Sequence, residues 1–224
     1  MAIRNEKAST AKILKDVRHH RAAVGSHPKT VHLVERTNTP YLELKARRNA
    51  TEEAEEASID AFARLVLADF ELDEACKQSE LGVLAVANKD RGSIAYRGCY
   101  AVCSLADMIA MRGSEQEAAV KTFVEALIEH APDVHARDGA QLLTLAAAAT
   151  AAEAAWLEAE RLFGAAFANE RIARLQAVRQ LQKNEGALIE IFPNQRRRVR
   201  TFYRSSKPRV EAPVTDTDGG DDEE

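Results

Sequence analysis

Two long stretches of this chain carry helical periodicity with few Gly or Pro residues to interrupt it. In the first, Ile59, Phe62, Val66, Phe70 and Asp73/Cys76 recur every three to four residues, with Leu65, Leu72 and Leu84 as a second flank. That spacing predicts an amphipathic helix over residues 50–88 with the Ile59–Phe70 row facing the core. Asn49, with Glu52 three residues on, reads as its capping box, and Glu52, Glu53, Glu55 and Glu56 suit the positive end of the helix dipole. In the second stretch, Leu142, Ala149, Trp156 and Phe163 are spaced by seven, and so are Leu145, Ala152, Ala159, Ala166 and Ala173. Two such rows form a coiled-coil seam in a helix over 138–185. One row is nearly all alanine, which lets a partner helix approach closely. Leu142, Leu145, Ala149, Ala152, Trp156, Ala159, Phe163 and Ala166 are therefore candidate subunit-contact residues.

Shorter helices are expected between them, one over 94–111 ending before Gly113 and one over 114–130 opened by the S-E-Q-E box at Ser114. Pro132 is expected to break the chain. The lengths predict an all-α protein, an elongated four-helix bundle with two very long helices that overhang the shorter pair. An overhang leaves an apolar stripe that is usually closed by another chain.

The ends read differently. A short helix is expected around residues 7–23. The stretch KTVHLVERT alternates, Thr39-Pro40 marks a boundary, and ALIEIF alternates again after Gly186. These segments predict extended N- and C-terminal arms with short strands. The implied organisation is a basic arm over 1–48, a helical bundle over 49–186, a basic arm over 187–209 and a disordered acidic tail over 210–224.

Charge sharpens that division. Residues 1–48 hold eleven Lys/Arg against four Asp/Glu, and 49–190 hold thirteen against twenty-four. Residues 191–209 then carry seven positive charges and no negative one, and 210–224 carry seven negative charges and no positive one. The formal net charge of −4 hides this segregation. Arg196, Arg197, Arg198, Arg200, Arg204, Lys207 and Arg209, with Phe202 and Tyr203 among them, suit either phosphate contacts with base stacking or docking on an acidic protein surface. The acidic body and tail favour the second use.

Candidate chemistry is sparse. The chain has no P-loop, dinucleotide-binding, zinc-protease or nucleophile-elbow motif, and its helices contain no E-x-x-H pair of the di-iron kind. Cys76, Cys99 and Cys103 are too few for a tetrahedral zinc site, and their odd, sparse count fits a reducing compartment. His19, His20, His27, His32 and His130 fall outside the expected buried faces and are expected in solvent. No uninterrupted apolar run reaches 18 residues, so no membrane span is expected. Together these features point to a cytoplasmic, non-enzymatic structural protein that forms a homo-oligomer or larger assembly, or acts inside a particle assembled there. No catalytic residue, metal or cofactor is expected. A nucleic-acid-binding module and a helical adaptor for another protein are the alternatives.

Overall fold

A computed structural model describes residues 8–204. Among them lie seven helices and no strand, so the protein is all-α. Two compact units divide the chain. Unit 1 combines Met1–Lys45 with Ala173–Glu224, and unit 2 is Ala46–Ile172.

In unit 1, α1 (Thr10–Gly25) opens where the Ser9 hydroxyl accepts from the Lys12 amide at 3.4 Å, a side-chain N-cap. Its Ile13, Val17, His20 and Val24 are spaced for one helical face and are all buried. The next helix, α2 (Leu33–Val86), runs through three expected boundaries. The alternating 31–36 segment is turn and helix rather than strand. Pro40 lies inside the helix, where burial of Leu33, Thr37 and Leu44 on either side offsets its missing donor. Asn49 caps nothing, and Thr51 donates instead to the Arg47 carbonyl at 3.0 Å, as mid-helix threonines do.

In unit 2 the single helix expected over 94–111 is two, α3 (Ile94–Cys99) and α4 (Leu105–Ala110). Ser93 and Ser104 each cap a separate start, accepting from the amides of Tyr96 and Asp107. A serine that can satisfy an orphan helix amide competes with helix continuation. Next, α5 (Gly113–His130) starts one residue before the expected cap at Ser114. The last long helix, α6 (Pro132–Ile191), begins at Pro132 rather than breaking there. Proline at the first helical position lacks an amide that would be unpaired anyway. Beyond it, α7 (Arg196–Thr201) and the end of α6 occupy the segments expected to be extended.

Three apolar clusters hold these elements. Unit 2 packs Leu72, Cys76 and Val83 of α2 against Met108 of α4, Phe123 and Leu127 of α5, and Leu142, Ala146 and Ala149 of α6. Unit 1 has one cluster around Ile13, Val17, Leu44, Ala177 and Leu181, and another around Val24, Leu33, Leu188, Phe192, Val199 and Phe202. One 18-residue window of α6 is apolar enough, by length and composition, to cross a membrane, although no uninterrupted apolar run there is that long. Its partner α2 carries Asp60, Arg64, Asp69, Glu71, Asp73 and Glu74, and a bilayer would have to take those charges with it.

Glu80 ties α2 to α3. The Tyr96 hydroxyl donates to Glu80 Oε1 at 2.6 Å, and Arg91 reaches the same oxygen at 3.1 Å. Burial, then this hydrogen bond, push the phenol up to about 12. A folded value above the ordinary value near 10 means a contribution that is complete below about pH 10 and lost as pH rises through 12. Tyr96→Phe should therefore flatten the alkaline fall in melting temperature between those limits. Identical slopes for the two proteins would contradict the linkage.

Candidate functional site

The α6 rows expected to contact another subunit face α2 of the same chain instead. Leu142 and Ala149 are buried and Leu145 half-buried in the unit 2 core, with Ala146 also buried beside them. Ala152, Trp156, Ala159, Phe163 and Ala166 continue the row, each half-buried. The Trp156 ring lies 5.6 Å from that of Phe62, and the Ser58 hydroxyl donates to the Glu160 carboxylate.

On α2 the expected core row is exposed from Ile59 to Phe70 and turns inward only at Cys76, while Leu65 and Leu72 of the expected flank are buried. The buried row is Thr37, Leu44, Thr51, Ser58, Leu65, Leu72 and Ser79, one residue in every seven. Ile59, Phe62, Val66 and Phe70 are 61%, 50%, 52% and 61% exposed. The reason lies in α6. Its alanines admit a close neighbour, and a closely approaching helix needs a narrow row at a seven-residue repeat. Small residues such as Thr51 and Ser58 fill that row better than phenylalanine does.

The exposed row continues a face that is covered further along. At the start of α5, Arg112 Nε pairs with Asp69 at 3.2 Å, and Gln116 donates to Asp73 at 3.1 Å. Gly113, at φ 54°, lies against the Glu153 carboxylate. Here α5 ends its cover, level with residues 69–73 of α2 and Glu153 of α6. On the far side of that point Ile59, Phe62, Val66, Leu157 and Phe167 are exposed, with the Phe163 and Phe167 rings 6.4 Å apart. Gly113→Ala would strain the left-handed backbone and displace Glu153, and should destabilise the protein by about 1–2 kcal/mol. A thermal melt unchanged by the substitution would contradict this account of where α5 begins.

The basic run lies in unit 1. Arg196, Arg197, Arg198 and Arg200 project from α7, Arg204 follows it, and all five are exposed. Lys207 and Arg209, like the acidic tail, lie outside the described residues. The aromatic pair is not available for stacking on bases. Phe202 is buried against Phe192, rings 5.8 Å apart, and Tyr203 stacks on His20 at 4.7 Å and donates to the Leu181 carbonyl. Val199 and Phe202 are three residues apart and share the inner face of this turn, which leaves the arginines outside. Arg198 is anchored, 4.4 Å over the Phe192 ring and donating to His27 Nε2 at 2.8 Å.

No family model, curated protein or solved structure matches this chain. Geometry alone therefore carries the functional reading.

Two further clusters bear on chemistry. His20, expected in solvent, is fully buried. Its Nδ1–H donates to the Phe202 carbonyl at 3.1 Å, which leaves Nε2 to accept from Asn184 Nδ2 at 3.0 Å. The same amide donates to Thr37 at 2.8 Å, Thr37 donates to the Leu33 carbonyl, and Gln180 donates to Asn184 Oδ1. The only early signal was position: His20 sits in the Ile13–Val17–Val24 face of α1. In unit 2, Cys76 and Cys99 are buried, and the Cys76 thiol lies 3.9 Å from Met108 Sδ. Burial pushes the Cys76 thiol up to about 12, the opposite of what a thiolate nucleophile requires. Among the described residues no three His, Cys, Asp or Glu side chains gather into a metal site.

Proposed function

We propose that this chain is a non-enzymatic structural protein that assembles with copies of itself, and that the exposed strip on α2 and α6 of unit 2 is the contact. The observation that carries this reading is the strip itself. Ile59, Phe62, Val66, Phe70, Leu157 and Phe167 each leave half or more of a large apolar side chain in water. At roughly 100 Å² apiece they expose about 600 Å², the upper end for the largest patch on a typical monomer. A standard interface uses about 800 Å² per partner, so a second strip of the same kind supplies a sufficient cover. A two-fold arrangement would set each strip on its own copy and bring four long-helix segments together. The cohesion of such a contact is apolar and should survive high salt.

Light scattering on a sizing column, over a range of protein concentration, tests this directly. The expected mass is a multiple of 24.6 kDa that persists in 1 M salt. A single-chain mass at every concentration would end the proposal.

A further inference from the structure

We infer that unit 1 binds the phosphate backbone of duplex nucleic acid, without reading its sequence, through the arginines outside its core. This goes beyond self-assembly and uses different residues. The described part of unit 1 carries fifteen Lys/Arg against five Asp/Glu, in a chain whose formal net charge is −4. Arg196, Arg197, Arg200 and Arg204 are exposed, and none has a carboxylate partner among the described residues. Lys12, Lys15 and Arg18 are exposed on α1 of the same unit. The guanidinium groups of Arg196, Arg197, Arg200 and Arg204 are thus presented to solvent on the surface of unit 1.

The chemistry of the cluster selects the ligand. Every cation between residues 196 and 204 is arginine, whose planar guanidinium matches a phosphate with two parallel hydrogen bonds. Arg196 and Arg200 are one turn apart on α7, about 6 Å along its axis. Arg198 is held by His27 and Phe192, so the turn that presents its neighbours is anchored to the core. Phe202 and Tyr203 are consumed by that core, which removes the aromatic platform that single-strand binders use. What remains contacts backbone rather than bases, and such contacts position a duplex without reading it. Residues 210–224 carry seven carboxylates, the same sign of charge as a phosphate backbone.

The test is fluorescence anisotropy of the full-length protein with a labelled short DNA duplex of arbitrary sequence. Binding is expected at about 50 mM salt, and four phosphate contacts would weaken it roughly 150-fold by about 200 mM. Arg196→Gln, Arg197→Gln, Arg200→Gln and Arg204→Gln together should weaken it at least about tenfold at the lower salt while leaving the melting temperature unchanged. Neutralising the tail carboxylates, with Asn for Asp and Gln for Glu, should tighten it. The inference is overturned by absence of binding at low salt, by binding indifferent to the four substitutions, or by a strong preference for single strands. It is also overturned if those substitutions change the scattering mass and not DNA binding, which would assign the arginines to an acidic surface on another copy. Glutamates placed in the α2–α6 strip would change the mass alone, so the two proposals fail separately.

Discussion

Phe62→Glu combined with Phe167→Glu should reduce the protein to a single chain of 24.6 kDa in light scattering, with its helical content intact. Both rings lie on the face that α5 leaves uncovered, 50% and 55% exposed, so the chain's own core loses little when they are replaced. An aromatic anchor at the centre of an interface is worth about 2–4 kcal/mol, a factor of roughly 30 to 1,000 in the dissociation constant. Two buried carboxylates without partners would add to that loss. Leu81→Glu is the control. Leu81 is as exposed, at 58%, but lies on α2 outside the strip, and its replacement should leave the mass unchanged. Equal loss of mass in both proteins would indicate general destabilisation. An unchanged mass in the double variant would mean that copies meet elsewhere.

Asn184→Ala should cost unit 1 about 3 kcal/mol in denaturant unfolding. The amide of Asn184 satisfies His20 Nε2 and Thr37 Oγ1 together, at 3.0 and 2.8 Å, and its carbonyl accepts from Gln180. Removing it takes away the donor that faces a fully buried imidazole nitrogen and opens a small void, and loss of a buried hydrogen-bond partner costs about 1–3 kcal/mol. Asn184→Asp tests the same point by charge. It keeps the volume but replaces the donating amide by an acceptor facing Nε2, and should also destabilise. A loss below about 1 kcal/mol for both would mean that water takes over the role of the amide, and that the hub does not hold α1, α2 and α6 together.

His20 illustrates why part of the structure was not legible. A histidine in a run of charged residues reads as solvated, because burial of an imidazole becomes tolerable only once both ring nitrogens have partners. Those partners lie 164 and 182 residues away in the chain, beyond the reach of any local pattern. The basic run shows the same limit. Alternation in ALIEIF and aromatic residues among arginines suggest an extended, stacking arm. Packing of Leu188, Phe192, Val199 and Phe202 around Val24 and Leu33 makes that segment helical and turns its aromatic side chains inward. The residues left outside are the ones that matter for the nucleic-acid inference.

Local helix signals fared unevenly for a related reason. Serines at 93 and 104 take effect as caps, each accepting from the amide three residues on at the start of a short helix. Asn49 and Ser114 have the same chemistry and cap nothing. A cap contributes about 1 kcal/mol, and continuous packing along a long helix outweighs it.

The helical class and the segregation of charge are legible in the sequence alone. Each follows from periodicity or composition, which tertiary contacts do not alter. The tertiary structure alone decided which row of α2 faces inward. Size and hydrophobicity favour Ile59, Phe62, Val66 and Phe70, but the alanine seam of α6 selects the small, seven-spaced row beside them. That choice leaves the larger side chains in water, where the proposed contact with another copy lies.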